Sequence, residues 1–200
     1  MNNNSWNKIR YTLYTPIYDS IAGIFKASRK KSIDALNIKE GEKILIVGAG
    51  TGLDLEFLPK GCEIIATDIT PSMVKKIENR NMKNVEAIVM DGHQLEFADE
   101  SFDKIILHLI IAVIPDPIAC IRECERVLKP NGEIAVFDKF VSADQQVSII
   151  RKAFNVISNF LFSDITRKIE EIVKDTRFEI VQNEAANFNG NFRIIKLKKN

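Results

Sequence analysis

The 200-residue sequence has little cysteine, and what it has does not indicate a disulfide framework. Its three cysteines, Cys62, Cys120 and Cys124, are an odd number, and the opening Met-Asn-Asn-Asn-Ser-Trp does not resemble a signal segment. We therefore expect reduced thiols in the cytoplasm. Cys120 and Cys124 lie one helical turn apart with no further ligand nearby, so we predict core packing and no metal site.

The sequence also lacks an excess of charge and a long apolar run. Lysine and arginine total 28 against 27 acidic residues, a net charge of +1, whereas nucleic-acid-binding domains usually carry a marked basic excess. The longest apolar run, residues 105–114, is interrupted by His108 and is far shorter than the roughly 20 residues of a membrane span. We expect no nucleic-acid partner and a protein that is soluble or at most peripheral to a membrane.

What the sequence does have is an alternation of strand-like and helix-like patterns, at the spacing of βαβ units and without internal repeats. A hairpin is expected at the end, because Asn-Gly favours a tight reversal. The alternation predicts one α/β domain. Predicted strands are 43–47, 63–67, 84–90, 103–109 and 132–140, predicted helices are 53–58, 72–80 and 117–128, a helical region fills 143–174, and the hairpin pairs 178–186 with 191–198.

The most informative stretch is Lys-Ile-Leu-Ile-Val-Gly-Ala-Gly-Thr-Gly, residues 43–52, an apolar strand that runs into three glycines. Gly48, Gly50 and Gly52 let the backbone turn sharply and approach a ligand that any Cβ would repel. The next apolar strand ends at Asp68, whose carboxylate can accept hydrogen bonds from both ribose hydroxyls. This pair of features indicates a nucleotide-cofactor site, although three glycines alone also suit an ordinary strand-to-helix turn.

The spacing of the glycines indicates which cofactor. A dinucleotide fingerprint has glycine at the sixth position of the motif, where this chain has Leu53. The pattern Gly-x-Gly-x-Gly instead resembles motif I of the class I S-adenosylmethionine-dependent methyltransferases. Further matches follow in order, at Met90-Asp91-Gly92, at 97–108 and at 126–133, and the resemblance extends over nearly the whole chain.

This resemblance implies a fold and a domain organisation. The fold is α/β and Rossmann-like, with a seven-stranded, mostly parallel sheet, a C-terminal antiparallel β-hairpin and an N-terminal helical lid. One methyltransferase domain would span residues 1–200, with the lid at 1–40, the cofactor-binding core at 41–140, and substrate-side helices with the terminal hairpin at 141–200.

The resemblance also implies how S-adenosyl-L-methionine would be held. An acidic side chain and the next backbone amide, Asp91 and Gly92, would meet the adenine, while Ile69 and Met73 would flank the ribose and adenine. The end of the fourth strand, at His108, would face the sulfonium. The implied cofactor-binding residues are Gly48, Ala49, Gly50, Gly52, Asp68, Ile69, Met73, Asp91, Gly92 and His108.

One position departs from the family pattern. Ile46 stands two residues before the first glycine, where many members have an acidic residue. Either backbone groups and a nearby side chain take over its role, or cofactor affinity is weaker. A non-catalytic S-adenosylmethionine-binding module therefore stays open as an alternative.

Three segments resemble the bacterial phosphatidylethanolamine N-methyltransferases: 14–19, 111–117 and 192–198. The ubiquinone/menaquinone C-methyltransferases share much of this pattern, and Asp138-Lys139 replaces the Asn-His that the lipid enzymes often show. We expect methyl transfer to a small or lipid-like acceptor, with an amine nitrogen favoured. C-methylation of a quinone precursor and methylation of a soluble metabolite are the alternatives, and no oligomeric state is predicted.

Two segments favour an apolar acceptor. Between 147 and 162, two neighbouring apolar stripes cover about half the circumference of a predicted helix. A surface helix needs an apolar arc of only roughly 100°. Near the N-terminus, apolar residues from Trp6 to Phe25 alternate with basic ones that include Arg29 and Lys30, a composition suited to peripheral membrane contact. Packing across two elements, or a lid over the cofactor, explains the same patterns.

The expected chemistry needs little from the protein beyond positioning, exclusion of water and delivery of a neutral amine. An alkylamine with a pKa of about 10.4 is protonated at neutral pH, so a base or a desolvating pocket must remove its proton. His108 and Tyr18 are the catalytic candidates. His108 alternatively only bonds the backbone beside the cofactor, and Tyr18 closes over the cofactor or orients the acceptor.

Overall fold

The computed structural model describes residues 25–140, 167–186 and 191–200. Seven strands form one sheet, and helices pack on both of its faces. The strands are β1 (Lys43–Val47), β2 (Glu63–Asp68), β3 (Val85–Val89), β4 (Phe102–His108), β5 (Leu128–Lys139), β6 (Phe178–Ala185) and β7 (Phe192–Lys199). The α-helices are α1 (Lys26–Asp34), α2 (Pro71–Glu78), α3 (Pro117–Val127) and α4 (Ile169–Val173), and a 3-10 helix covers Leu53–Phe57.

The strand order is β3-β2-β1-β4-β5-β7-β6. The first five strands are parallel, and β7 runs antiparallel to both of its neighbours. The predicted fold, a mostly parallel seven-stranded sheet with a C-terminal hairpin, is confirmed. Because the chain leaves β1 in one direction and returns at β4 in the other, the crevice between the carboxyl ends of these two strands is where this type of sheet binds ligands.

The central strands are apolar on both faces because helices cover both. Ile44 and Ile46 belong to a buried cluster with Ile33 of α1, whereas the alternate residues Leu45 and Val47 belong to a cluster with residues of α3 and α4. Side chains alternate between faces along a strand, so a continuous apolar run is what a doubly covered strand needs.

Helix starts follow their local sequence. Proline at the first helical position loses no hydrogen bond there, and both α2 and α3 begin with it, at Pro71 and Pro117. Asp116 caps α3 by accepting a hydrogen bond from the Ala119 N–H at 3.0 Å. Within α3, Cys120 and Cys124 are fully buried and free, in agreement with the packing prediction.

Two predicted elements differ from the structure. The helix predicted at 53–58 is a 3-10 helix, because it is confined between Gly52 in the left-handed region and Leu58, which is extended before a proline. The fifth strand, predicted at 132–140, begins earlier, because β5 starts at Leu128. The register of the β4–β5 pairing shifts between Phe102 and Lys104 of β4, whose partners are Leu128 and Glu133 of β5. Within this part of β5, Asn131 has a φ of 60°.

Several predictions fall outside the described residues: the lid before residue 25, including Tyr18, the apolar stripes at 147–162, and the Asn-Gly turn at 189–190. In the part of the chain that the structure describes, no helix has the length and apolar character needed to cross a membrane.

Candidate active site

The loop from Gly48 to Gly52, here called the glycine loop, follows β1 at the crevice. Gly48, Gly50 and Gly52 have φ values of 69°, 57° and 78°, a region that residues with a Cβ rarely adopt. The Ala49 N–H donates to the Thr67 carbonyl at 2.8 Å, which ties the loop to the end of β2. The glycines are therefore required by the backbone itself.

The chain that follows β4 packs directly on the first glycine; we call residues 109–116 the strand-four loop. A Cβ at Gly48 would lie 2.8 Å from Cδ1 of Ile110. Leu109 turns the chain with a φ of 59°, which is unusual for a bulky residue, and its N–H donates to the Phe137 carbonyl at 2.8 Å. The two loops at the crevice are thus in contact.

Asp68 ends β2 beside the glycine loop. Its Oδ2 accepts a hydrogen bond from the Gly50 N–H at 2.9 Å, and its Oδ1 accepts one from the Thr70 N–H at 2.8 Å. Burial raises the pKa of Asp68 above its ordinary value, and the two N–H groups oppose that rise. Each carboxylate oxygen has two lone pairs, so the capacity to accept from a ribose diol remains.

Asp91 follows β3 at the same edge of the sheet, and His93 holds it. His93 Nδ1 lies 2.6 Å from Asp91 Oδ1, and the backbone N–H of His93 donates to the same oxygen at 3.0 Å. Gly92 between them faces the core, where an added Cβ would lie 3.0 Å from Val47 Cγ1. Nothing in the sequence singled out His93, since a histidine two residues after an acidic residue matches no recognised pattern.

The two apolar residues expected beside the cofactor differ in accessibility. Ile69 is partly exposed, whereas Met73 of α2 is 2% exposed. The structure therefore favours Ile69 over Met73 as an apolar contact for a ligand in the crevice.

His108 lies in a buried polar cluster, which we call the His108 cluster: Arg29, Ser32, Asp54 and His108. Asp54 Oδ1 lies 2.8 Å from His108 Nδ1, and Asp54 Oδ2 lies 2.8 Å from Arg29 Nη1. His108 Nε2 lies 3.0 Å from the Ser32 hydroxyl. The cluster joins α1, the 3-10 helix and the end of β4, and no member is more than 4% exposed.

The electrostatics of this cluster explain how four polar groups are buried together. Burial alone would raise the pKa of Asp54, but its interactions with His108 and Arg29 outweigh that effect and hold the pKa well below its ordinary value. In the neutral ring, His108 Nδ1–H donates to Asp54 and Nε2 accepts from Ser32. With both ring nitrogens hydrogen-bonded in the interior, this setting argues against proton abstraction by His108 and favours a scaffolding role.

Ile46 is 1% exposed in an apolar cluster, and other residues steady the glycine loop. Asp68 binds the Gly50 N–H as described, and Arg80 Nε donates to the Thr51 carbonyl at 3.1 Å. Backbone groups and nearby side chains thus hold the loop without an acidic residue at position 46. Arg80 stands just after α2, and no sequence signal indicated its role.

The strand-four loop is anchored from the far side by Asp138 and Arg167. Asp138 Oδ2 accepts from the Ala112 N–H at 2.9 Å, and burial raises the pKa of this carboxyl. Arg167 Nη1 donates to the carbonyls of Ile111 and Ile114. Asp138 is 1% exposed, so it supports the loop and does not present a carboxylate to the crevice.

Comparison with known proteins indicates the class of enzyme. A family model described as a methyltransferase domain matches residues 45–136, which run from β1 through β5 and include the glycine loop, Asp68 and Asp91. The match, together with the relatives described next, indicates an S-adenosylmethionine-dependent methyltransferase.

Two relatives resemble this methyltransferase over different extents. A phosphatidylethanolamine N-methyltransferase of Cereibacter sphaeroides is 26% identical over 189 residues, covering 92% of this chain and 93% of the relative. A demethylmenaquinone methyltransferase of Corynebacterium glutamicum (strain R) is 36% identical over 109 residues, which cover 54% of this chain and 46% of the relative. This match spans about half the length of the second relative.

Solved structures share the fold of the methyltransferase. A putative methyltransferase in complex with the Haloferax volcanii Trm112 methyltransferase activator has a TM-score of 0.80 at 15% identity, covering 94% of this chain and 96% of that chain. Haemonchus contortus phosphoethanolamine N-methyltransferase 2, in complex with S-adenosyl-L-methionine, has a TM-score of 0.69 at 19% identity. The match covers 86% of this chain and 52% of that chain.

The residues at the crevice fit S-adenosyl-L-methionine, the cofactor of the family. The glycine loop offers backbone N–H groups without side chains, Asp68 offers acceptors for the ribose, and Asp91 offers an acceptor one strand further along. When bound, the cofactor supplies a methyl group on a sulfonium, which is already electrophilic. The assignment of individual residues to parts of the cofactor stays a prediction.

Proposed function

We propose that this methyltransferase acts on an amine nitrogen of a small or lipid-like acceptor of the phosphatidylethanolamine type. The observation that carries the proposal is the extent of the match to the Cereibacter sphaeroides enzyme, which covers 92% of this chain and 93% of that one. The match includes the segments on the acceptor side of the sheet, beyond the cofactor-binding strands.

The environment beyond β4 supports an apolar setting for the acceptor. Phe25, Phe137 and Phe192 form an aromatic cluster, with ring centroids 4.7 to 5.7 Å apart. The cluster lies at the ends of β5 and β7 and includes Leu109 of the strand-four loop at its margin. Apolar surroundings disfavour a charged amine and lower its pKa.

Removal of the acceptor's proton is the step for which the described residues offer little. His108 is hydrogen-bonded through both ring nitrogens, and Asp138 is buried and bound by backbone N–H groups. We therefore assign deprotonation to desolvation of the amine, with Tyr18, which lies outside the described residues, as the group that orients it.

Peripheral membrane contact is proposed for the segment before residue 25. The basic residues of α1 support it less than their number suggests, because Arg29 is buried on Asp54. Lys26, Lys30 and Lys31 are exposed, but each pairs with an acidic side chain at 3.0 Å or less. Attraction of α1 to anionic lipid is therefore partly neutralised. A cytoplasmic location belongs to the same proposal.

The test is transfer of radiolabelled methyl groups from S-adenosylmethionine into a lipid extract and into a water-soluble extract of bacterial cells. We expect label in the lipid fraction, in methylated phosphatidylethanolamine, and less label with the cofactor-site variant Asp68→Asn when S-adenosylmethionine is limiting. Label confined to the water-soluble fraction would contradict the lipid acceptor. Sedimentation of the protein with anionic vesicles at low and high salt tests the membrane contact separately, and failure to sediment at low salt would overturn it.

A second candidate is C-methylation of a quinone precursor. It is favoured by the 36% identity to the Corynebacterium glutamicum enzyme, although that match covers only 46% of the relative. Chromatography of the labelled lipid fraction separates the two candidates, because a quinone product carries no phosphate or amine. A soluble amine as acceptor is the third possibility, and it predicts label in the water-soluble fraction.

A further inference from the structure

His93 bridges two parts of the crevice through its two ring nitrogens. Nε2 lies 3.2 Å from the backbone nitrogen of Asp116, and Nδ1 lies 2.6 Å from Asp91 Oδ1. A backbone N–H can only donate, so Nε2 accepts and carries no proton. The proton of the neutral ring is then on Nδ1, which donates to the Asp91 carboxylate.

Asp91 is consequently held by two donors from one residue. Both the ring Nδ1–H and the backbone N–H of His93 bind the same oxygen, Oδ1. Two bonds to one oxygen, from groups fixed relative to each other, restrict rotation of the carboxylate about its own bond. A carboxylate has no donor, so Asp91 contributes acceptors only.

The support for His93 is itself rigid. Asp116 is the N-cap of α3, where its carboxylate binds the Ala119 N–H, so the backbone N–H that His93 accepts belongs to a fixed helix start. On the other side, Gly92 packs closely against the core, where an added Cβ would lie 3.0 Å from Val47 Cγ1. The ring is therefore placed by α3 and by the end of β3 together.

We propose that His93 is a positioning residue that sets the base selectivity of the methyltransferase. It would present the Asp91 carboxylate as a fixed acceptor to the 6-amino group of adenine. The proposal rests on the assignment of Asp91 to the adenine. That assignment follows the strand order, because Asp68 at the end of β2 would hold the ribose and the base would extend towards β3.

The chemistry of the base gives the discrimination. Adenine has a donor at position 6, whereas hypoxanthine has an oxo group there, which is an acceptor. A carboxylate held in place binds the amino group and faces the oxo group with no shared proton. Sites built to pair with one polar group reject an analogue that lacks it much more strongly than apolar sites can.

The experiment measures binding by calorimetry, with S-adenosylhomocysteine and S-inosylhomocysteine as the two probes. The wild type should prefer the adenine compound by about 100-fold or more. Asp91→Asn should remove most of that preference, because an amide can donate to the oxo group.

Two variants of His93 separate the donor from the rest of the side chain. His93→Asn places an amide N–H near the Nδ1 position, and we expect it to keep the selectivity ratio within about threefold of wild type. His93→Gln reaches towards Asp116 but leaves no side-chain donor near Asp91, where only the backbone N–H of residue 93 remains, and we expect the ratio to fall about tenfold. Thermal unfolding of both variants shows whether the fold is retained.

The outcomes are distinct. A ratio unchanged in His93→Gln would overturn the role of His93, as would equal losses in the Asn and Gln variants. An unchanged ratio in Asp91→Asn would instead overturn the assignment of Asp91 to the base, whatever the His93 variants show. Loss of all binding in Asp91→Asn would count against a role confined to selectivity.

Discussion

The two histidines of the chain hold carboxylates in opposite settings. His108 and Asp54 lie in the interior, where side-chain exposure is 1% and 3%, while His93 and Asp91 lie at the rim, with 19% and 37% exposed. In the interior, every polar atom must be matched within the protein, so changes there should appear as lost stability. At the rim, water replaces lost partners, so changes should appear as altered ligand binding.

The largest effect is expected for Asp54→Asn in the His108 cluster. The change keeps the shape of the side chain but removes the charge that Asp54 places against the buried Arg29, so the free energy of unfolding should fall by about 3–5 kcal/mol. Asp34→Asn is the control, because Asp34 is 56% exposed in its pair with Lys30 and should cost at most about 1 kcal/mol. Urea denaturation measures the free energy of unfolding of both variants. Similar losses in Asp54→Asn and Asp34→Asn would contradict the special role of the buried carboxylate.

At the rim, Asp68→Asn should weaken binding of S-adenosylhomocysteine by about 1.5–3 kcal/mol, roughly 10-fold to 150-fold. The reason is the loss of a charged acceptor for the ribose. Glu63→Gln, at the opposite end of the same strand and exposed in its pair with Lys43, should bind as the wild type does. Calorimetry that finds equal affinity in Asp68→Asn and wild type would contradict the site, and NAD should not bind to either.

The pH dependence of stability should also distinguish the interior carboxylate. A folded-state pKa below the ordinary value means that Asp54 contributes stability above about pH 4, and that this contribution is lost as the pH falls further. The difference in unfolding free energy between wild type and Asp54→Asn should be constant from pH 7 to 5. It should then shrink by up to about 1.4 kcal/mol per pH unit.

Asp68 and Asp138 shift in the opposite direction, since burial raises the pKa of each. Stability that depends on their protonated forms is lost as the pH rises through the folded pKa. Both carboxyls are present in wild type and in Asp54→Asn, so their effects cancel in the difference. If the difference in unfolding free energy between wild type and Asp54→Asn stays constant down to pH 2, Asp54 is not the group whose protonation destabilises the protein.

The smallest effect is expected for Arg80→Met, which removes the donor to the Thr51 carbonyl but keeps the aliphatic part of the side chain. One hydrogen bond contributes about 1 kcal/mol, so cofactor binding should weaken about fivefold. The control is Lys75→Met on the preceding helix α2, where Lys75 is 71% exposed, and this variant should bind normally. If both variants bind normally, Arg80 does not steady the glycine loop.

The sequence predicted the strands well because their apolar runs must satisfy two faces at once. β1 matches its predicted bounds, and β2, β3 and β4 differ by one or two residues. A helix was predicted at 53–58 and lies at Leu53–Phe57, but its 3-10 form depends on the left-handed Gly52 and the extended Leu58, which an apolar pattern does not indicate.

For the site, the sequence indicated the residues that a motif carries, such as the glycines and Asp68, and it did not indicate those that act by contact. Arg80 and His93 have no pattern of their own. His108 was singled out by its position at the end of β4, but its partners Arg29 and Asp54 are 79 and 54 residues away in sequence. Such a cluster becomes visible only when the chain is folded.

The packing of Ile110 on Gly48 limits how this sequence can change over time. Any residue other than glycine at position 48 would meet both the isoleucine side chain and an unfavourable φ of 69°. A smaller residue at position 110 would remove the steric obstacle but not the unfavourable φ. A substitution at position 110 with Gly48 retained would meet neither obstacle. Substitutions at these two positions therefore have a permitted order, in which position 110 changes first and position 48 changes last or not at all.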